Sequence, residues 1–216
     1  MNIKAVIWDL DGTLLNTLDD LAASTNAALA ANGLPARTTD EVRRFVGNGV
    51  HKLIERAVPE LGAQHPKFQQ TLDAFVAHYG AHSKDQTRPY DGIMTVLDVL
   101  AQKGIRHAIV SNKVDFAVKA LSKEYFGDRM VSAVGDDPAR AKNPAPDSVW
   151  EAMRQMGVTA GEAVYVGDSD VDVITARNAG IPCIAVTWGF RSEECLLEAG
   201  AEHVARKPEE IERIVE

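Results

Sequence analysis

The sequence predicts an α/β protein, a doubly wound, Rossmann-like parallel sheet with a helical segment inserted after its first strand. Three observations predict it. Five short apolar runs, at residues 3–8, 105–110, 130–134, 163–166 and 181–186, are unbroken rather than alternating, as strands covered on both faces are. Amphipathic stretches at 93–103, 114–125, 147–156 and 171–179 separate the later runs, the rhythm of strands joined by crossover helices. From about residue 15 to about residue 84 only helical spacing is found.

The elements follow in order. The first run ends at Asp9. Within the insertion, Leu18, Leu21, Ala22, Thr25, Ala28 and Leu29 mark one helix. Val42, Phe45 and Val46, then Leu53, Ile54 and Ala57, then Phe68, Leu72, Phe75, Val76 and Tyr79 mark others. Gly33-Leu34-Pro35 and Pro59 punctuate it, and Arg88-Pro89-Tyr90-Asp91-Gly92 marks the return. The expected division is a core of residues 1–14 and 88–216 and a helical cap of residues 15–87, placed like a lid over the crevice at the carboxyl ends of the strands. Gly104, Gly157 and Gly180 follow three later helices, where a left-handed residue ends a helix.

Composition narrows the function. The chain has 216 residues, 45% of them hydrophobic, enough for a core without disulfides. Cys183 and Cys195 are too few for a disulfide framework and lack metal-ligand spacing. No apolar run approaches the roughly 18 residues of a membrane helix, and no leader pattern precedes the first strand, so a cytoplasmic monomer or homodimer is expected. With 31 acidic and 23 basic residues the net charge is −8, which argues against a nucleic-acid surface. It also means that an anionic substrate needs local cations.

Four motifs fall at expected strand ends. Asp9-Leu10-Asp11-Gly12-Thr13 places two carboxylates two residues apart after a buried strand. It reads as a polar turn or as a repelling pair that needs a cation such as magnesium, with Gly12 free to turn backbone N–H groups toward an anion. In Ser111-Asn112-Lys113, Ser111 or Asn112 suits a helix cap, with Asn112 and Asp115 spaced like a capping box. Lys113 there opposes the helix dipole, which suggests a nearby phosphate or carboxylate. Lys142-Asn143-Pro144-Ala145-Pro146-Asp147 reads by itself as a loop into a helix. In Gly167-Asp168-Ser169-Asp170-Val171-Asp172, Ser169 and Asp172 form a capping-box pattern, and Asp168 is left for a metal site with Asp9 and Asp11.

Together, in this order, these motifs resemble the haloacid dehalogenase (HAD)-like hydrolase superfamily, in its phosphoglycolate phosphatase-like branch, over nearly the whole chain. Asp9-x-Asp11-Gly12-Thr13-Leu14 is similar to that family's first motif, Ser111-Asn112-Lys113 to its second and Gly167-Asp168-Ser169-x-x-Asp172 to its fourth. Val46-Gly47-Asn48-Gly49 is similar to the branch's cap loop. The resemblance implies a phosphatase acting on a small phosphorylated metabolite through an aspartyl-phosphate on Asp9, with Asp11 as acid and base. It implies Mg2+ at Asp9, the Asp11 backbone carbonyl, Asp168 and Asp172. Ser111 and the turn around Gly12 and Thr13 are expected to bind phosphate, with Asn112 and Lys113 as further substrate contacts.

The third motif departs from the family pattern. Asn143 stands where a lysine precedes the first proline, and Lys142 is one residue earlier. Either Lys142 reaches in as the catalytic cation or the site lacks one charge. In the cap, Gly47-Asn48-Gly49 before a helical pattern is a helix–helix turn or a nest for a substrate carboxylate. His78 and His82, four apart, could hold a metal but lack a third ligand and suit a solvated face. Trp188 reads as packing. The alternatives on the same fold are a sugar phosphate mutase, a pyrophosphatase, a nucleotidase or a low-turnover phosphate-binding regulator.

Overall fold

The computed structural model describes residues 2–215. In chain order the elements are β1 (Ala5–Trp8), β2 (Leu15–Asn16), α1 (Leu18–Ala31), α2 (Thr39–Phe45), α3 (Val50–Ala57), α4 (Pro66–His82), β3 (Arg88–Pro89), α5 (Ile93–Gln102), β4 (Arg106–Val114), α6 (Asp115–Tyr125), β5 (Met130–Asp136), α7 (Asp147–Met156), β6 (Ala163–Gly167), α8 (Asp170–Ala179), β7 (Cys183–Val186), α9 (Glu193–Glu198), β8 (His203–Ala205) and α10 (Glu210–Val215). They form two compact units, one of residues up to Leu15 and from Pro89 onward, the other Asn16–Arg88. The short strands β2 and β3 pair where the chain passes from one unit to the other and back.

The first unit is built on a parallel six-stranded sheet of order β5-β4-β1-β6-β7-β8. The chain steps outward from β1 through β4 to β5, then returns to the other side of β1 for β6, β7 and β8. This reversal makes the carboxyl ends of β1 and β6 a topological switch point, where a crevice opens in such sheets. The unbroken apolar runs have a simple cause. Val6 and Trp8 pack with Ile109, Val166 and Ile184 against Leu97, Val118 and Ile211, whereas Ala5 and Ile7 pack with Val110 and Tyr165 against Val149, Ala152 and Ala176. Both faces of β1 are therefore buried, and each large side chain contributes about 1.5–3 kcal/mol.

Two departures from the sequence reading stand out. The sheet has a sixth strand, β8, whose three residues are too short to show a period. Further, β4 does not stop at Val110. Val110 is in register with Val134 and Val114 with Asp136, so Ser111, Asn112 and Lys113 lie opposite Gly135 alone. The extra residues form a bulge, which re-aims side chains at a sheet's end. Only glycine fits at 135, because a Cβ there would lie 2.4 Å from the Asp115 Cα and 2.7 Å from the Lys113 carbonyl oxygen. The expected Asn112 capping box is not formed; α6 starts after Val114 with no side-chain cap.

Buried His107 on β4 accepts a hydrogen bond from the Trp8 Nε1–H at Nδ1, 3.2 Å, which leaves the Nε2–H to donate to the Leu97 carbonyl, 3.0 Å. In the helical unit, α1 packs on α4. The buried Asp20 carboxylate accepts hydrogen bonds from the backbone N–H groups of Gln86 and Thr87 and from the Thr87 hydroxyl at 2.7–3.1 Å, tying the start of α1 to the return segment.

Candidate active site

The site lies in the first unit, at the switch point. The Asp9 N–H donates to the Val166 carbonyl, 2.9 Å, so the residue after β1 stands beside the end of β6. The chain then turns through Gly12 at φ +93°. A Cβ at Gly12 would lie 2.5 Å from the Asp168 Oδ2, so the glycine provides both the turn and the room for that carboxylate. Beyond β6, Ser169 caps α8 in a capping box with Asp172, whose Oδ2 accepts from the Ser169 N–H at 2.9 Å and hydroxyl at 2.6 Å. The Tyr165 hydroxyl donates to the Asp172 Oδ1, 3.3 Å. Asp172 is thus both a cap and a member of the acidic group.

Asp9, Asp168 and Asp172 each bring a carboxylate oxygen within 4.8 Å of the others. Thr13 Oγ1–H donates to the Asp168 Oδ1, 3.1 Å, and the Phe190 N–H to the Oδ2, 2.6 Å. The Phe190 donor belongs to a loop after β7 that sequence reasoning missed. Gly189 in this loop has no space for a side chain, since a Cβ would meet the Asp168 Cβ at 2.3 Å and the Gly12 carbonyl oxygen at 2.4 Å. Trp188, read as packing, also donates its Nε1–H to the Thr13 carbonyl, 3.0 Å, joining this loop to the first motif. The available signal was a glycine just past a strand's carboxyl end.

Burial raises the pKa of all three carboxyls. For Asp9 the charges of Asp172, Asp168 and Asp11 add to the effect of burial. For Asp168 the hydrogen bonds from Phe190 and Thr13 and the charge of Arg191 offset part of the rise. For Asp172 the Ser169 hydrogen bonds do so. At an effective dielectric of about 20, each ionised pair at this spacing repels by about 3 kcal/mol. A divalent cation removes that cost, and an all-oxygen, carboxylate-rich donor set suits a hard cation. The three aspartates can hold a metal ion.

The Asp11 side chain turns elsewhere. Both its carboxylate oxygens lie 2.9 Å from the Lys113 Nζ, and the Lys113 side chain is only 8% exposed. The anion expected beside Lys113 is therefore a carboxylate of the first motif. Ser111 is buried at the start of the bulge, and its Oγ accepts from the Lys113 N–H, 3.3 Å. Asn112 donates to the Asn143 carbonyl, 3.3 Å. Lys142 is engaged with a different group: its ammonium pairs with Asp136 at 2.7 Å and its side chain is 54% exposed. Asn143 is buried, and its Oδ1 has no hydrogen-bond partner.

In the helical unit, Gly47 and Gly49 have φ of +119° and +81°, and Gly49 caps α3. The Asn48 Oδ1 accepts from Arg56, 2.7 Å, and a second Arg56 nitrogen reaches the Phe45 carbonyl, 2.7 Å, so the loop is braced from its own helix. The His78 and His82 rings lie 4.3 Å apart, tilted by 30°, and are engaged by Ser24 and Asp85 respectively.

Comparison with known proteins agrees with this geometry. The family model for haloacid dehalogenase-like hydrolases matches residues 6–186. The chain is 33% identical over 192 residues to a phosphoglycolate phosphatase of Xylella fastidiosa, covering 88% of this chain and 83% of the relative. It is 35% identical over 188 residues to one of Agrobacterium fabrum, covering 85% and 80%. Among solved structures, one from Lactobacillus delbrueckii subsp. bulgaricus, provisionally named a phosphoglycolate phosphatase, superposes with a TM-score of 0.94 at 33% identity, covering 100% of this chain and 99% of that one. CbbY from Rhodobacter sphaeroides, in complex with phosphate, superposes with a TM-score of 0.75 at 26% identity, covering 97% and 96%. A match spanning all four motifs, with relatives this similar over most of their length, establishes that the chain belongs to the haloacid dehalogenase-like hydrolases.

Proposed function

We propose that this hydrolase is a magnesium-dependent phosphatase for a small phosphomonoester, with 2-phosphoglycolate as the first candidate. One observation carries the reading: Asp9, one of three carboxylates gathered within 4.8 Å, stands at the switch point of the sheet, with Asp11 two residues on but turned away to a lysine. A lone turn motif does not explain two neighbouring acids with separate surroundings; nucleophilic and acid–base roles do.

In this reading an Asp9 carboxylate oxygen attacks the phosphorus, and the ester bond to the substrate alcohol breaks. Asp11 gives that oxygen its proton, then takes one from the water that cleaves the aspartyl-phosphate. Ser111 and the backbone N–H groups around Gly12 and Thr13 hold the phosphoryl oxygens. Asp9, Asp168, Asp172 and the Asp11 carbonyl would hold Mg2+, which when bound offsets the charge of the carboxylates and of the phosphoryl group. Thr13, Phe190 and Tyr165 orient the Asp168 and Asp172 carboxylates.

The helical unit serves in this reading as the cap. Its Gly47-Asn48-Gly49 loop, braced within that unit by Arg56, has the glycine-rich turn chemistry that binds a carboxylate through backbone N–H groups. The naming of the relatives as phosphoglycolate phosphatases supports this choice of substrate. A panel of phosphomonoesters, assayed with magnesium and with chelator, tests it. Magnesium-dependent release of phosphate, fastest from carboxylate-bearing esters, is the expected result. Turnover confined to pyrophosphate, to nucleotides or to sugar phosphate isomerisation would replace it with one of the alternatives.

A further inference from the structure

We infer that Lys113 is the positioning cation of the phosphoryl site and that Lys142 is not. The inference rests on the phosphatase reading above and assigns the charge that this reading leaves open. Three carboxylates meet in the site, a fourth, Asp11, stands two residues from Asp9, and the incoming phosphoryl group adds further negative charge. Even with a divalent ion bound, the total stays negative, so a local cation is needed to admit the substrate. Residue 143 is an uncharged asparagine, and the Lys142 ammonium is held on Asp136 at 2.7 Å with its side chain half exposed to water.

Lys113 meets the requirement. Its ammonium is 2.9 Å from both oxygens of Asp11, and its side chain is 8% exposed, so its charge is poorly screened by solvent. The bulge aims it there: three residues of β4 opposite the single Gly135 release Lys113 from the ladder. For proton transfer, the Asp11 carboxyl must lie about 2.6–3.2 Å from the leaving oxygen. A cation hydrogen-bonded to that carboxyl is therefore beside the scissile bond. There it fixes the Asp11 rotamer and can share itself with a phosphoryl oxygen.

Four variants test this with two substrates, 4-nitrophenyl phosphate and 2-phosphoglycolate, and with inorganic phosphate as the binding probe. Lys113→Met is expected to lower kcat about 10²–10³-fold on both substrates, as loss of one preorganised donor does. It is also expected to weaken phosphate binding at least tenfold by calorimetry in saturating magnesium. Lys142→Met is expected to cost far less on every measure. In Lys113→Met with Asn143→Lys, a charge restored from the other loop is expected to recover much of the rate and the phosphate affinity; loss of fold alone would not be rescued this way. Asp9→Asn separates the two levels of argument. If Asp9→Asn is inactive while Lys113→Met keeps its rate and phosphate affinity, or while Lys142→Met is the more damaged, the assignment to Lys113 is overturned and the phosphatase reading stands. If Lys113→Met is impaired only on 2-phosphoglycolate, Lys113 reads the substrate carboxylate and the phosphoryl assignment is overturned. Full activity in Asp9→Asn overturns the reading itself.

Discussion

The backbone N–H of Phe190 donates to the Asp168 carboxylate at 2.6 Å, a hydrogen bond that crosses from the loop after β7 to the end of β6. With the Thr13 hydroxyl on the other oxygen, it fixes an acid that would otherwise rotate away from its like-charged neighbours. The same loop reaches the first motif through Trp188. Three segments distant in the chain thus meet at one carboxylate, and the arrangement makes several expectations.

Gly189 is where that meeting is tightest. An added Cβ would fall 2.3 Å from the Asp168 Cβ and 2.4 Å from the Gly12 carbonyl oxygen, so backbone must move. Gly189→Ala is expected to lower kcat at least a hundredfold and to weaken magnesium binding, with a melting temperature within a few degrees of the parent. Isothermal titration with magnesium and a thermal melt check it; unaltered affinity and rate would show that the loop is not a support.

Asp9→Asn is expected to stabilise the metal-free protein while abolishing turnover. It removes one of three crowded carboxylates whose ionisation burial and mutual repulsion oppose. A gain of about 2 kcal/mol, or about 4–8 °C in a protein of this size, is expected in chelator. The stabilisation by added magnesium should shrink in the variant. A lower melting temperature in chelator would mean that the carboxylates are not in conflict.

His107 predicts how stability depends on acid. Burial lowers its pKa from 6.5 to about 4, and both ring nitrogens are engaged by Trp8 and Leu97 in the neutral form. The unfolded chain therefore binds more protons between these values. The contribution of the neutral ring is complete above pH 6.5 and is lost as pH falls toward 4. The crowded aspartates act in the opposite sense, because their folded values are raised and the metal-free fold gains as pH falls. The difference between parent and His107→Gln cancels them. Denaturant titrations should show the parent losing about 2–3 kcal/mol relative to the variant between pH 7 and pH 4.5; a pH-independent difference would contradict the neutral-ring assignment.

Asp20 is expected to be costly to replace. Its buried carboxylate accepts from two backbone N–H groups and the Thr87 hydroxyl, donors that Ala would leave unpaired. Asp20→Ala should destabilise the helical unit by about 2–4 kcal/mol. Hydrogen exchange at Gln86 and Thr87 reads the loss directly, and unchanged protection there would rule the brace out.

What was legible in the sequence was what leaves a local trace. Asp9 follows an unbroken apolar run, and Ser169 and Asp172 carry the spacing of a capping box that indeed forms. The doubly wound sheet follows from runs too apolar for a one-sided strand. Contacts between distant segments left no such trace. The helix-start position of Lys113 marks it as needing an anion, but its partner, Asp11, is 102 residues away, so the sequence leaves that anion unnamed. Phe190 acts through its backbone N–H, which any residue but proline offers. The bulge in β4 was hidden because it depends on Gly135 of the neighbouring strand.

The most direct measurement traps the covalent intermediate. Acid quenching during turnover of a phosphomonoester, followed by reduction with tritiated borohydride, converts an aspartyl-phosphate to homoserine and labels its position. The account predicts label at residue 9, dependent on substrate and magnesium. Phosphate release at full rate with no label, or with label on another aspartate, would contradict it.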